Sequence, residues 1–527
     1  MKIAVMNTGG TISCTGNPLG PMSASAFAQA SQAILNPILL QNFPNLDLCY
    51  ITDLTFPESS SGTLDSTNLQ PQDWCLMATY ILKHYVEYDG WIVLHGTDSM
   101  DFTGTALPFL LSSFSKEGYT TASLSKPIII TGSQVPLFYQ DPSSQALSLN
   151  FNTDAYQNFC GAVATAQSGI PEVCVYFDGA LYRGNRSVKK NASGFNAFFS
   201  PNYPALAEYG IDLTVQTGLI QPPPVSNQVS LDNPTVREAV QQQLMYISEH
   251  IDTCPVMQFN AFPAWYSMKP SAGIMASLIQ ACVDQGIQGM ILESYGEGNF
   301  PSGNPDHPEQ GATYQTLKKA NDSGVVIVDC TQVIQGVVNN SAYAAGAWLP
   351  SIGALSPADM TPMAALAKLM ILRTSAGYNQ NNWALDDVKR LFQLNLLGEM
   401  LNVSRMDSRI NSTLLPNQKI SALDGSASLS NDPEKGPILA DSTGNVVWSA
   451  LAKPSKHEMP GYLIMQNDGN LVFYSRNNSP LWATNTGNPS GASSMLVLDG
   501  SYTHQNLSLK VDDYSHNRVS AVLYRQE

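Results

Sequence analysis

Three short stretches of this chain carry the side chains that acyl transfer needs. In Asn7-Thr8-Gly9-Gly10-Thr11-Ile12 an apolar run ends on two glycines, which let the backbone approach a ligand closely, with the hydroxyls of Thr8 and Thr11 on either side. A threonine at such a turn becomes a nucleophile when a neighbouring group accepts its proton. In His95-Gly96-Thr97-Asp98-Ser99-Met100 a second apolar run, Trp91 to Leu94, breaks into an imidazole, two hydroxyls and a carboxylate. The third stretch, Leu181 to Lys190, supplies Arg183, Arg186, Lys189 and Lys190. A hydroxyl beside an amine and a carboxylate forms a relay: the lysine takes the proton and the carboxylate stabilises the ammonium. Each stretch also has a structural reading, respectively a strand-to-helix turn with a threonine cap, an N-cap with a helix-dipole aspartate, and a solvated charged loop. His95 reads as a hydrogen-bonded structural histidine, because no second His or Cys stands near it at ligand spacing.

The elements that must position these groups are legible in the apolar pattern. KIAVM, LDLCYI, GWIVLHG, PIIITGS and EVCVYFDG are continuous apolar runs, and helix-sized segments such as 71–88 lie between them, with Trp74, Met77, Ile81 and Tyr85 at helical spacing. Strands apolar throughout and separated by helices imply a mostly parallel sheet covered on both faces. Ligands bind beyond the carboxyl ends of such strands, where TGGT, HGTDS and TGSQ all fall. A proline-rich stretch, 218–235, reads as a linker to a second α/β block, 236–405, with strands in PVMQFNAFPA, GMILESYG and GVVIVDCT and closing helices in TPMAALAKLMILR and LDDVKRLFQLNLLGEM. The first domain is accordingly 1–217. From 406 to 527 helix patterns vanish and a degenerate strand repeat appears, which implies a three-fold all-β module.

Composition narrows the function. With 527 residues the chain exceeds one core. A net charge of −16 without basic patches excludes binding to a nucleic-acid backbone and to an anionic membrane surface. No apolar run approaches the roughly 18 residues of a membrane span, and no secretory h-region follows the N-terminus. The eight cysteines show no metal spacing, so the expected compartment is the cytoplasm.

TGGTI, HGTDSM, GSQVPL, LYRGNRSVKK, FSPNYP, SYGEGN and DCTQ together, from Met1 to about residue 405, resemble the bacterial L-asparaginase family of threonine amidohydrolases, most of all its cytoplasmic type I branch. The resemblance implies a two-domain asparaginase fold of mostly parallel sheets with helices on both faces. It assigns Thr11 as the nucleophile, Thr97, Asp98 and Lys189 as the catalytic relay, and Ser66, Thr67 and Asp98 as the groups that hold the α-carboxylate and α-amine of the substrate. The implied reaction is L-asparagine to L-aspartate and ammonia, with L-glutamine or a peptide-linked amide as other substrates, no metal or organic cofactor, and a homodimer or higher homo-oligomer. Two departures stand out. No tyrosine lies between Thr11 and Tyr50, where the family's lid carries one, and Glu293 replaces an arginine near the type I effector pocket.

The C-terminal stretch MQNDGNLVFYS places Gln466, Asp468, Asn470, Val472 and Tyr474 at alternate positions, which on one strand would line a single face. Carboxylate, amide and phenol groups there would bind sugar hydroxyls. The pattern resembles bulb-type mannose-binding lectins of β-prism architecture, with Trp448 and Trp482 as core wedges. The expected function is an asparaginase with an appended carbohydrate-binding module. The alternative is a weakly active or inactive asparaginase-fold scaffold that serves as a lectin or self-assembling structural protein.

Overall fold

The five continuous apolar runs build the centre of one sheet. In the computed structural model they are β1 (Lys2–Asn7), β2 (Asp47–Ile51), β3 (Gly90–Leu94), β4 (Ile128–Thr131) and β5 (Val173–Phe177), continued by β6 (Ala180–Arg183), β7 (Ala207–Tyr209) and β8 (Leu213–Val215). The model describes all residues except 117, 119, 218, 222, 225, 226, 339–342, 344, 401–404, 409–411, 423–425, 493, 504, 514, 515, 517 and 527. The strand order is β8-β7-β6-β5-β4-β3-β1-β2. The pairs β2–β1, β1–β3, β3–β4 and β4–β5 are parallel, while β5–β6, β6–β7 and β7–β8 are antiparallel. Every residue of β3 and β4 is buried, as expected of a parallel sheet covered on both faces. Helices α1 (Pro71–Lys83), α2 (Met100–Leu110) and α3 (Ala155–Ala166) are the crossovers that supply the cover.

This order contains a topological switch. From β1 the chain moves outward to β2, then returns to β3 on the other side of β1 and continues away through β4. The connections that leave β1 and β3 therefore diverge, and a crevice opens at their carboxyl ends. TGGT follows β1 and HGTDS follows β3, so both turns lie at that crevice.

A second, smaller sheet holds β9 (Val256–Asn260), β10 (Gly289–Ser294) and β11 (Val326–Thr331), all parallel, as the sequence pattern implied. Helix Pro234–His250 begins inside the last positions of the expected linker. Asn233 caps it through Thr235 N, and Pro234 sits in its first turn, so here proline starts a helix rather than ending one. Residues 218, 222, 225 and 226 of that linker lie outside the described residues, as do 401–404 before the expected boundary. The last helix, expected to run through LDDVKRLFQLNLLGEM, stops at Gln393. Beyond it the side chains of Asn395 and Glu399 take the N–H groups of Leu396, Leu397 and Gly398, and so compete with helix formation.

The chain divides into two compact units: 1–116 with 122–223 and 230–392, and 117–121 with 224–229 and 393–527. Among the described residues of the second unit, twelve strands form three four-stranded antiparallel sheets. Leu429 and Leu439 from one, Leu463 and Phe473 from another, and Leu496 and Leu509 from the third share one core. Trp448 and Trp482 meet edge to face at 5.8 Å and pack on that core half-buried.

Candidate active site

Main-chain contact fixes the two turns at the crevice. Gly9 and Gly10 have φ of 118° and 76°, values that L side chains rarely adopt. A Cβ on Gly10 would fall inside the backbone of His95 and Gly96, and one on Gly96 would fall on the side chain of Ser66. The loops bearing Thr11, Thr97 and Ser66 therefore converge with nothing between their backbones. Thr8 is excluded as a nucleophile, because it is buried and its hydroxyl donates to Leu94 O at 2.9 Å. The half-buried Thr11 hydroxyl makes no hydrogen bond with any described residue.

Lys189 joins Thr97 to Asp98. Its Nζ donates to Thr97 Oγ1 at 2.8 Å and to Asp98 Oδ1 at 2.6 Å. The hydrogen bond from Lys189 holds the Asp98 carboxyl below its ordinary value, against a smaller opposing effect of burial. Thr67 Oγ1 donates to the other oxygen, Asp98 Oδ2, at 3.2 Å. Ser66 Oγ accepts Asp98 N at 3.3 Å, and Ser66 O accepts Ser99 Oγ at 2.7 Å. The structure thus brings Thr97, Asp98, Lys189, Ser66 and Thr67 into one hydrogen-bonded group.

The cationic stretch is not a solvated loop. Arg183 and Arg186 are buried, paired with Glu172 and Asp359 at 2.5 Å each. Both guanidinium groups lie against the Tyr203 ring, at 4.7 and 5.2 Å from its centre. These pairs anchor the turn that leads into Lys189, while Lys190 is exposed.

His95 is structural. Its Nδ1 lies 2.7 Å from Gly96 O and must donate there, so Nε2 accepts from Thr103 Oγ1 at 2.9 Å, and that hydroxyl accepts Trp74 Nε1–H at 3.1 Å. Complete burial pushes the imidazole down to about 4, which keeps it neutral.

Sequence reasoning assigned no role to Gln134, although it stands in TGSQ beyond β4. Its Oε1 accepts from Thr97 Oγ1 at 3.4 Å, and its Nε2 donates to Gly194 O at 3.2 Å, which orients the amide. Asp154 in turn fixes the Gln134 backbone by accepting its N–H at 3.0 and 3.1 Å. Glu293, at the end of β10, is half-buried, and burial raises its carboxyl.

The C-terminal motif departs from the expected single strand. Gln466, Asp468 and Asn470 lie in the turn that joins Tyr462–Met465 to Leu471–Tyr474, because Gly469 takes φ of 87° and Gln466 N donates to Asn470 O. Only Val472, which is buried, and Tyr474 are on a strand. The turn still joins part of the set: Gln466 Nε2 donates to the Tyr474 hydroxyl at 2.9 Å, and Asp468 Oδ1 accepts Asn470 N at 2.9 Å.

Lys189→Met is expected to raise the Asp98 carboxyl toward the ordinary value of about 3.9. Because the folded value is depressed, the pair stabilises the native state above about pH 4, and that contribution is lost as pH falls through the folded value. Carboxyl carbon shifts followed through an acid titration of both proteins measure this; an Asp98 midpoint that does not move would contradict the pairing.

The Asparaginase, N-terminal family model matches residues 2–221, and the Glutaminase/Asparaginase C-terminal domain model matches 268–384. L-asparaginase 1 of Escherichia coli K12 is 32% identical over 400 residues, 76% of this chain and 98% of that protein. The 60 kDa lysophospholipase of Mus musculus is 34% identical over 337 residues, 64% of this chain and 49% of that longer protein. The crystal structure of L-asparaginase I from Vibrio cholerae superposes with a TM-score of 0.55 at 30% identity, over 76% of this chain and 99% of that one. With both family models matched in order and near full-length similarity to L-asparaginase 1, this chain belongs to the asparaginase family of amidohydrolases.

Proposed function

We propose that this chain hydrolyses the side-chain amide of L-asparagine to L-aspartate and ammonia, with L-glutamine as a second substrate. The observation that carries this reading is Lys189 Nζ held between Thr97 and Asp98 at 2.8 and 2.6 Å, at the crevice where the Thr11 turn meets the Thr97 turn. Thr11 Oγ1 adds to the amide carbon. The C–N bond breaks, and nitrogen leaves as ammonia with the proton that the hydroxyl gave up through the relay. Water then adds to the ester, the bond to Thr11 breaks, and aspartate departs. Asp98, mostly exposed and ionised, faces the substrate's α-ammonium together with Ser66 and Thr67. Gly9 N–H and Gly10 N–H are spent on Asn7 Oδ1 and Leu64 O, so the oxyanion falls to the N–H groups of Thr11 and Thr97, each worth roughly 3 kcal/mol. The reaction as read needs no metal or organic cofactor.

Thr11→Val and Thr97→Val each remove one hydroxyl and little volume. Ammonia release from L-asparagine should fall by about a hundredfold or more in both, with unchanged melting temperature. Activity that survives either change would contradict the relay. An ester passes through the same tetrahedral intermediate, so a lysophospholipid, the substrate named for the mouse relative, is the ester to set beside the two amides.

Residues 406–527 are read as a carbohydrate-binding module, in the division 1–217, 218–235, 236–405 and 406–527. Support comes from its three-sheet core and from the turn that gathers Gln466, Asp468, Asn470 and Tyr474. Calorimetry should show mannose binding that Asp468→Ala removes; heat indistinguishable from dilution in the parent protein would end this reading. The chain is further read as a homo-oligomer, supported by the exposed apolar residues Phe262, Trp265, Tyr266, Met268, Ile274 and Leu278 on the second sheet's lobe. Light scattering should then give a multiple of 56.9 kDa, and the monomer mass at all concentrations would contradict it. The eight free thiols support a reducing compartment, the cytoplasm, and no helix among the described residues is long and apolar enough to cross a membrane.

A further inference from the structure

The Thr97–Asp98 turn grips Lys189 by its Nζ, and a residue three positions further on grips it by its backbone. Asp101, in the first turn of α2, is 5% exposed. Its Oδ2 accepts the backbone N–H of Lys189 at 3.3 Å, and its Oδ1 accepts that of Phe102 at 3.1 Å. Burial pushes this carboxyl up to about 6, a direction that the two N–H donors and nearby Lys189 oppose. A buried carboxylate is a costly way to fill space, and an apolar side chain would pack there more cheaply.

The local chain geometry explains the need. Lys189 lies on a strand of two residues, Val188–Lys189, paired with Phe198–Phe199. Backbone alternation sends Lys190 N–H to Ala197 O at 2.7 Å and turns Lys189 N–H the other way, toward α2. Helix α2 also packs backbone to backbone on the turn 184–186, since a Cβ on Gly104 would come within 2.8 Å of Gly184 O. The lysine side chain beyond has a flexible four-carbon stem, so the position of its Cα sets where Nζ can reach.

We propose that Asp101 is a positioning residue of the relay, which fixes the Lys189 backbone so that Nζ meets Thr97 and Asp98 together. The inference rests on the relay reading above, and it concerns an acceptor rather than substrate contact. Two variants and two readouts test it. Asp101→Ala removes the acceptor and should lower kcat for L-asparagine by about tenfold to a hundredfold, with KM within about twofold. Asp101→Asn retains an acceptor oxygen and should recover kcat to within about threefold of the parent. In a crystal structure of Asp101→Ala, Lys189 Nζ should leave the 2.8 Å contact with Thr97 Oγ1. Parental kcat in Asp101→Ala, an Asp101→Asn variant as impaired as Asp101→Ala, or an Nζ contact that stays in place would each overturn the proposal. If the parent protein releases no ammonia, the amidase reading fails, while the crystal structure still decides whether Asp101 positions Lys189.

Discussion

The architecture of the site depends on one steric constraint: the main chains of two turns touch, Gly10 against Gly96, at the point where the strand order reverses. Thr11 and Thr97 are the next residues in each turn. Their separation is therefore set by backbone packing on two buried parallel strands rather than by rotamer choice. A Cβ at Gly10 would push the two turns apart, one at Gly96 would displace Ser66, and misplacement by about 1 Å can cost a hundredfold in rate.

Electrostatics is divided between function and support. The Lys189–Asp98 pair is substantially exposed, with side-chain exposures of 19% and 59%, so it contributes at most about 1 kcal/mol to stability and its role is to orient. The pairs Arg183–Glu172 and Arg186–Asp359 are buried, where an unpaired partner would be strongly destabilising. They hold the turn that delivers Lys189, sharing the Tyr203 ring. The costly charges are buried, and the Lys189–Asp98 pair is the exposed one.

The central sheet could be read from the sequence because its strands are apolar on both faces and end on glycine-bearing turns, a local signal. Lys189 is singled out among Arg183, Arg186 and Lys190 only through the resemblance of LYRGNRSVKK to the family's motif. Gln134 and Asp101 escaped because their partners are 37 and 88 positions distant, Thr97 and Lys189 respectively, and side-chain spacing along a chain carries no trace of such contacts. The cation cluster misled for a related reason: Arg183 and Arg186 look like surface charge until Glu172 and Asp359 are found beneath them. In Gln466 to Tyr474 the two-residue alternation is real, but Asn-Asp-Gly turns the chain in its middle, and the same spacing then spans a hairpin.

The segment after the Thr11 turn is where the family pattern and this chain part. It is a hairpin of two-residue strands, Cys14–Thr15 and Gly20–Pro21, with an exposed tip that presents Leu19 and no phenol. Cys14 does not replace the tyrosine. Its Sγ donates to Gly10 O, and burial, with the charge of Asp65 adding to it, pushes the thiol up to about 11, so it stays neutral and a weak donor. The Thr11 hydroxyl has no acceptor among the described residues, and Thr97 is already engaged by Lys189 and Gln134. Once an amide fills the crevice and water is displaced, the fixed N–H groups and the charged groups beside them act in a lower dielectric, where each is worth more. So short a ladder contributes little stability of its own. Selectivity among amides, and the rate itself, therefore turn on how well a substrate completes the site that the two glycine turns leave open.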